Sequence, residues 1–253
     1  MESLRISWIG RQVTDIARQR RFLEGQLGLT VRGAGRSTWG NSVTYDADTV
    51  GIALIEQPST AEIPNFWTLA FEVDDVAATI EGMGLPTNGV VYASWGAYAT
   101  LRDPDGVPWY LAHDRRHPPV GATAPARVGW VSLTVHDLSL ATTFYHDVLG
   151  LPIASQDPER TSFDLPEVTL ELVSGGPVPS TLRTFPEHAR TLIRFDVANV
   201  EQTGHELRER GLKTLGSIFR VGQTGLGAYA ADLEGNTWLL YQEPDSAKDV
   251  PTA

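Results

Sequence analysis

The sequence predicts an α+β protein made of four similar modules, each a strand, a helix and about three further strands. Internal repetition is the first observation, since FLEGQLGL at residues 22–29 recurs 122 residues later as FYHDVLGL at residues 144–151. The second is that segments with alternating apolar residues are followed by segments with apolar residues at helical spacing. A module this small cannot bury its own sheet, so we expect the modules to pair.

The first module of each half opens with a strand and a helix. Asp15 and Asp137 stand at equivalent places just before helical apolar spacing, and aspartate is a preferred N-cap residue. We therefore predict helices that begin after these two residues. Gly150 closes the second of them, as glycine often does at a helix end.

The second module of each half follows the same plan. Alternating Leu69, Phe71 and Val73 predict a strand, and Asp75 then begins a predicted helix. Asn199 holds the corresponding place in the second half. DPDGVPWYL at residues 103–111 resembles DLEGNTWLL at residues 232–240, and both predict a tight turn leading into a last strand.

The repeats predict two domains of two modules each. We place the first at residues 1–114 and the second at 128–245, with a linker at 115–127 and a tail at 246–253. Proline, glycine, alanine and charged residues dominate the linker, which has no apolar period.

Composition excludes several classes of protein. The 253 residues carry a net charge of −11, which disfavours binding to nucleic acid or to anionic lipid. Cysteine is absent, which excludes disulfides, thiolate metal sites and a cysteine nucleophile. With no apolar run of about 20 residues and no visible secretory signal, we expect a soluble cytoplasmic protein, either a monomer or a homodimer.

These segments resemble a known family. WVSLTVHDLSLATTFYHDVLGLPI at residues 130–153, together with FEVDDVAATIEGMG and WGAYATLRDPDGVPWYL in the first half, is similar to the vicinal oxygen chelate superfamily. That group includes glyoxalases, bleomycin-resistance proteins, fosfomycin-resistance enzymes and extradiol dioxygenases. The resemblance implies four βαβββ modules paired into two glyoxalase-like, cup-shaped domains, with one cup in each half. It specifies the fold better than the reaction.

The resemblance also implies where metal ligands would stand. Metal-using members place His, Glu or Gln on the first and last strands of the modules. Carried over to this chain, those places hold Trp8, Ala53, Thr68 and Tyr110 in the first half, and Trp130, Glu171, Leu192 and Leu239 in the second. Indole, leucine and alanine offer no lone pair to a cation, and a single carboxylate is too few for a catalytic site. We therefore expect no metal and no cofactor.

Tryptophan at these places predicts a different use of the cups. Trp8 and Trp130 would line the two floors, with Thr68 and Tyr110 in the first cup, and present flat apolar faces to a planar ligand. Tyr229 and Tyr241 are further candidate contacts for the ligand.

Two charged residues are predicted to face the second cup. Glu171 and Arg194 each alternate with apolar neighbours, and a buried charge needs a partner. One interpretation is an ion pair between them. The other is that Arg194 holds an anionic group of the ligand, or that Glu171 acts as a base. His136, which continues the alternation of its strand, is a candidate catalytic group at the rim.

Several functions stay open at this point. The favoured one is a metal-free binding protein for a planar hydrophobic small molecule, for which antibiotic sequestration is the nearest family role. The alternatives are a metal-independent lyase, isomerase or cyclase that uses Glu171 or His136, a metal-dependent glyoxalase or dioxygenase, and an interaction module without a small ligand.

Overall fold

The computed structural model describes residues 4–37, 39–48, 50–57, 66–115, 126–166, 168–177, 185, 189–222 and 225–244. Four modules of strand, helix and further strands follow one another along the chain, as predicted. Modules one and two contain the following elements: β1 (Arg5–Val13), α1 (Ile16–Gly25), β2 (Thr30–Ser37), β3 (Gly40–Ala47), β4 (Val50–Glu56), β5 (Trp67–Glu72), α2 (Val76–Gly82), β6 (Val91–Ala93), β7 (Gly96–Arg102) and β8 (Pro108–Asp114).

Modules three and four repeat this order with two additions. A π-helical turn at Phe144–Val148 extends the helix of module three, and module four has one extra short strand. Their elements are β9 (Arg127–Val135), α3 (Leu138–Thr143), β10 (Ile153–Gln156), β11 (Arg160–Asp164), β12 (Thr169–Ser174), β13 (Thr191–Asp196), α4 (Val200–Glu209), β14 (Thr214–Leu215), β15 (Phe219–Val221), β16 (Gly225–Ala231) and β17 (Thr237–Gln242).

All four helices begin where the sequence predicts. The side chains of Asp15, Asp75, Asp137 and Asn199 each accept a hydrogen bond of 2.9–3.0 Å from the backbone N–H three residues later. Such a cap satisfies one of the amides that a helix start leaves without a partner, and is typically worth about 1 kcal/mol. Gly150 has a φ of 75° after the helix of module three, a conformation that favours glycine.

The modules form two sheets, but not one in each half. Modules one and four share a sheet in which β1 pairs antiparallel with β13, and modules two and three share a sheet in which β5 pairs antiparallel with β9. The expectation of one cup per half is therefore wrong. Sequence repetition shows which segments are alike, but it does not show which modules pair through their first strands.

The two modules of one half contact each other in another way. Asp105, in the turn before β8, accepts hydrogen bonds from the backbone N–H and the hydroxyl of Thr14 at the start of α1. Glu234, in the equivalent turn before β17, accepts bonds of 2.7–2.9 Å from the backbone N–H groups of His136 and Asp137 at the start of α3. The turns before β8 and β17 thus hydrogen-bond to the start of α1 and α3, each in its own half of the chain. The sheets, in contrast, pair strands from different halves.

The core lies between the sheets and the helices. Trp109 and Trp238 are fully buried, and Trp109 stacks on Phe71 with ring centroids 5.2 Å apart. No helix in the described part of the chain is long and apolar enough to cross a membrane.

Candidate ligand-binding cups

Each sheet curves around a concave face that is turned away from the helices, and these faces carry the predicted site residues. We call the face of modules one and four the outer-module cup, which carries Trp8, Arg194, Tyr229 and Tyr241. The face of modules two and three is the inner-module cup, which carries Thr68, Tyr110, Trp130 and Glu171. Each cup therefore combines predicted site residues from both halves of the chain.

The outer-module cup is lined by half-buried aromatic rings that pack on one another. Trp8 stacks on Trp39 with centroids 6.0 Å apart, and Phe185 meets Trp39 edge-on at 5.7 Å. The indole N–H of Trp39 donates a 2.8 Å hydrogen bond to the hydroxyl of Tyr229, which itself stacks on Phe219. These contacts occupy one face of Trp8 and the indole N–H of Trp39.

The floor beneath these rings is closely packed. Leu192 and Leu239 are buried there beside Ile55, at exposed fractions of 1% or less. A Cβ on Gly10 would collide with the six-membered ring of Trp8, so the absent side chain makes the room in which the indole lies flat. Trp8 is thus a packing residue of this cup.

Arg194 is held by partners other than the one predicted. Its guanidinium lies 2.8 Å from a carboxylate oxygen of Asp196, donates to Ser7 Oγ and stacks 4.2 Å above the ring of Tyr241. Glu171 belongs to the other sheet, so the predicted Glu171–Arg194 ion pair is wrong. Burial raises the pKa of the Tyr241 phenol above its ordinary value, and the charge of Arg194 opposes that rise.

The inner-module cup has an aromatic wall that remains partly exposed. Trp130 meets Trp95 edge-on at 6.0 Å, Trp95 stacks on Tyr98 at 5.9 Å, and Tyr98 meets Tyr110 edge-on at 6.1 Å. All four side chains are half-buried. A continuous apolar surface is therefore available to a ligand.

Polar groups lie next to this wall on the cup floor. Ser132 donates a 2.9 Å hydrogen bond to Glu171 Oε2, and Arg160 donates a 3.4 Å bond to Oε1. Thr68 is the cross-strand neighbour of Ser132, and Ser132 in turn lies beside Glu171. The Glu171 carboxylate, 17% exposed, is thus oriented by two side chains.

An open cavity of about 600 Å³ lies over this floor. Trp95 and Trp130 form its apolar side. The opposite side is polar and includes Arg160, Ser162 and Glu171, together with Asp157 and Glu159 from the β10–β11 turn. The volume falls in the range of small-molecule sites.

His136 is not brought to this cavity. It is exposed just beyond the end of β9, and its ring Nδ1 lies 3.3 Å from the carbonyl of Gly176. Its backbone serves the contact with Glu234 described above. Two further histidines, His117 and His188, lie outside the described residues.

Two residues that contact the cup side chains were not considered from the sequence. Phe185 meets Trp39 edge-on in the outer-module cup, and Arg160 orients Glu171 in the inner-module cup. Alternation along a strand could have identified Arg160, which is two residues from Ser162 on the same face. Trp39 and Phe185 stand in turns, where periodicity indicates no direction.

Comparison with known proteins decides the family. The glyoxalase/bleomycin resistance protein/dioxygenase superfamily model matches residues 5–111 and 127–240. The chain belongs to this superfamily. A search of curated proteins finds no sequence that matches this member.

Solved structures of the superfamily share its fold. Glyoxalase I from Zea mays is 16% identical, with a TM-score of 0.70 over 98% of this chain and 95% of that one. Its V278E variant is 17% identical, with a TM-score of 0.72 over 98% of this chain and 95% of that one. A Bacillus subtilis protein assigned as a dioxygenase is 11% identical, with a TM-score of 0.71 over 96% of this chain and 86% of that one. At these identities the likeness concerns the fold alone.

The metal of glyoxalases and dioxygenases does not fit either cup of this superfamily member. The implied ligand places in the outer-module cup carry Trp8, Ala53, Leu192 and Leu239, none of which can donate a lone pair to a cation. In the inner-module cup Glu171 is the one carboxylate at such a place, beside Thr68, Tyr110 and Trp130, and one carboxylate is too few for a catalytic metal. No group of three or more His, Cys, Asp or Glu residues forms a metal-binding cluster within the described ranges.

Proposed function

We propose that this superfamily member binds a planar, largely apolar small molecule in the inner-module cup, without the help of a metal. The observation that carries the proposal is the cavity of about 600 Å³ along the exposed faces of Trp95 and Trp130. Rings stacked on an indole face gain both apolar burial and favourable ring geometry. In the other cup Trp39 stacks on one face of Trp8, although both rings are half-buried like those of the inner-module cup.

The polar side of the cavity would orient the ligand. Glu171 and Ser162 offer acceptors, and Arg160 offers donors that its contacts with Glu171 and Asp157 do not exhaust. A ligand with an aromatic ring and a hydrogen-bonding edge therefore suits the site. Sequestration of an aromatic natural product, such as an antibiotic, is the role that we favour in the cytoplasm.

A titration with a panel of aromatic natural products tests this proposal. We expect at least one member to quench tryptophan fluorescence in a saturable way, with affinity reduced about tenfold or more by Trp130→Ala, a loss of roughly 1.4 kcal/mol of binding free energy. Trp8→Ala is the matched control and should leave the affinity within about twofold. Absence of saturable quenching across the panel would count against the proposal, as would equal losses in the two variants.

Acid–base catalysis is the second candidate, favoured by the orientation of Glu171. A carboxylate held by Ser132 and Arg160 beside a ligand cavity can move a proton on a bound molecule, as a metal-independent lyase, isomerase or cyclase requires. Turnover of a panel compound that Glu171→Gln abolishes, with ligand affinity retained, would establish this function. Binding without turnover in the unmodified protein would favour sequestration.

Elemental analysis of the purified protein addresses the metal directly. Because the ligand places hold too few free donors, we expect far less than one equivalent of any first-row metal per chain. About one tightly held equivalent would contradict the metal-free proposal.

A further inference from the structure

A second concave surface lies outside both cups, between α1 of module one and the end of β7 in module two. This groove has a volume of about 550 Å³. Its apolar part is formed by Phe22, Leu85 and Leu101, and Leu85 is 40% exposed. The groove can therefore hold the hydrocarbon part of a small molecule.

Arginine side chains rim the groove from two directions. Arg18 and Arg21 lie one turn apart on α1, so their side chains share a face of the helix. Both are exposed, and neither side chain makes an ion pair with any residue that the structure describes. Arg102, at the end of β7, donates one N–H to the carbonyl of Gly106 and keeps further donors.

The acidic residue in the groove does not oppose these cations. Asp103 is buried and receives hydrogen bonds from the indole N–H of Trp109 at 3.0 Å and from two backbone amides at 2.8–2.9 Å. Arg11, fully buried behind it, lies 3.6 Å from its carboxylate. The charge of Asp103 is thus satisfied from within the protein.

From these observations we propose that the groove binds a small organic anion, in which a phosphate, sulfonate or carboxylate group is attached to an apolar body. Guanidinium groups bind such oxyanions through short, charge-assisted and often bidentate hydrogen bonds. Three arginines at one groove are a local exception in a chain whose net charge is −11. A cationic molecule would be repelled by these charges, whereas a neutral one would gain no attraction from them. This site is separate from the inner-module cup and does not depend on the function proposed for it.

Calorimetric titration of the full chain with three probes tests the proposal. Phenyl phosphate carries both features, inorganic phosphate lacks the apolar body, and benzyl alcohol lacks the charge. We expect saturable binding of phenyl phosphate, at least about tenfold weaker binding of inorganic phosphate, and no measurable binding of benzyl alcohol. Phenyl phosphate affinity should fall as salt is raised, because the groove is exposed.

Variants then locate the binding. The double variant Arg18→Ser and Arg21→Ser should weaken phenyl phosphate binding about tenfold or more. The control Arg32→Ser and Arg36→Ser removes the same charge from exposed sites on β2 and should stay within about twofold of the unmodified protein. Leu85→Ala should weaken phenyl phosphate binding while leaving inorganic phosphate unchanged. The proposal is overturned if phenyl phosphate does not saturate, or if the β2 control loses as much affinity as the groove variant.

Discussion

The two cups share one framework and differ in what enters them from a turn. In the outer-module cup the turn between β2 and β3 inserts Trp39 over Trp8. In the inner-module cup the equivalent turn, between β10 and β11, presents Asp157 and Glu159 to the cavity. Both floors carry a tryptophan at the corresponding place of the first strand. In both cups a turn tryptophan thus meets the floor tryptophan. Trp39 stacks on Trp8, whereas Trp95 of the β6–β7 turn meets Trp130 edge-on, so the two cups differ in the orientation of the turn ring.

The pairing of modules provides the largest expected effect. Because every sheet needs strands from both halves, residues 1–115 and 116–253 expressed as separate chains should each fail to form a native monomer. Each fragment would leave the pairing edges of β1 and β5, or of β9 and β13, without partners. Mixing the fragments should restore a one-to-one complex with cooperative thermal unfolding, measurable by circular dichroism and sedimentation. A fragment that unfolds cooperatively as a monomer would contradict the shared sheets.

The two floor tryptophans should differ in their effect on stability. Trp8→Ala removes a ring packed on both sides and should lower the free energy of unfolding by about 3 kcal/mol. Trp130→Ala removes a ring that lines an open cavity and should cost about 1 kcal/mol or less. Urea denaturation of both variants measures the difference. Equal losses would mean that the two floors are packed alike.

Removing Trp39 from its turn should expose the face of Trp8 on which it stacks in the outer-module cup. Trp39→Ala deletes the ring that covers Trp8 and the hydrogen bond to Tyr229, so we expect a loss of about 2 kcal/mol. The fluorescence of Trp8 should shift to longer wavelength as water reaches it. Glu159→Ala in the equivalent turn is the control and should change stability by less than about 0.5 kcal/mol. An unshifted emission spectrum would show that neighbouring side chains move into the space left by Trp39 and keep water from Trp8.

The smallest expected effect concerns the phenol of Tyr241 in the outer-module cup. Burial raises its pKa above 10.0, so the folded state holds this proton more tightly than the unfolded state. The contribution to stability is then fully present below about pH 10 and is lost as pH rises through the higher folded pKa. A spectrophotometric titration should show that Tyr241→Phe removes one late-ionising tyrosine. If the variant instead lacks a tyrosine that ionises early, burial does not raise the pKa of Tyr241.

Much of the fold could be predicted because it rests on local chemistry. The four N-caps at Asp15, Asp75, Asp137 and Asn199 follow from side-chain preference at helix starts, and alternation predicted the buried faces of the strands. The pairing of modules could not be predicted, because edges that are similar in sequence can meet in more than one way.

The same limit explains the errors at the candidate site. Alternation placed Glu171 and Arg194 together in the cup of the second half, whereas they lie in different sheets. The contacts of turn residues could not be predicted for a different reason. Neither period applies to Trp39, so its position over Trp8 follows only from the three-dimensional arrangement of the hairpin.

A crystal structure of the protein bound to the tightest ligand from the aromatic panel would show which cup the ligand occupies. We expect ligand density in the inner-module cup against Trp95 and Trp130, with Trp39 still stacked on Trp8 in the other cup. Ligand density in the outer-module cup, with Trp39 displaced by the ligand, would contradict the proposed binding site.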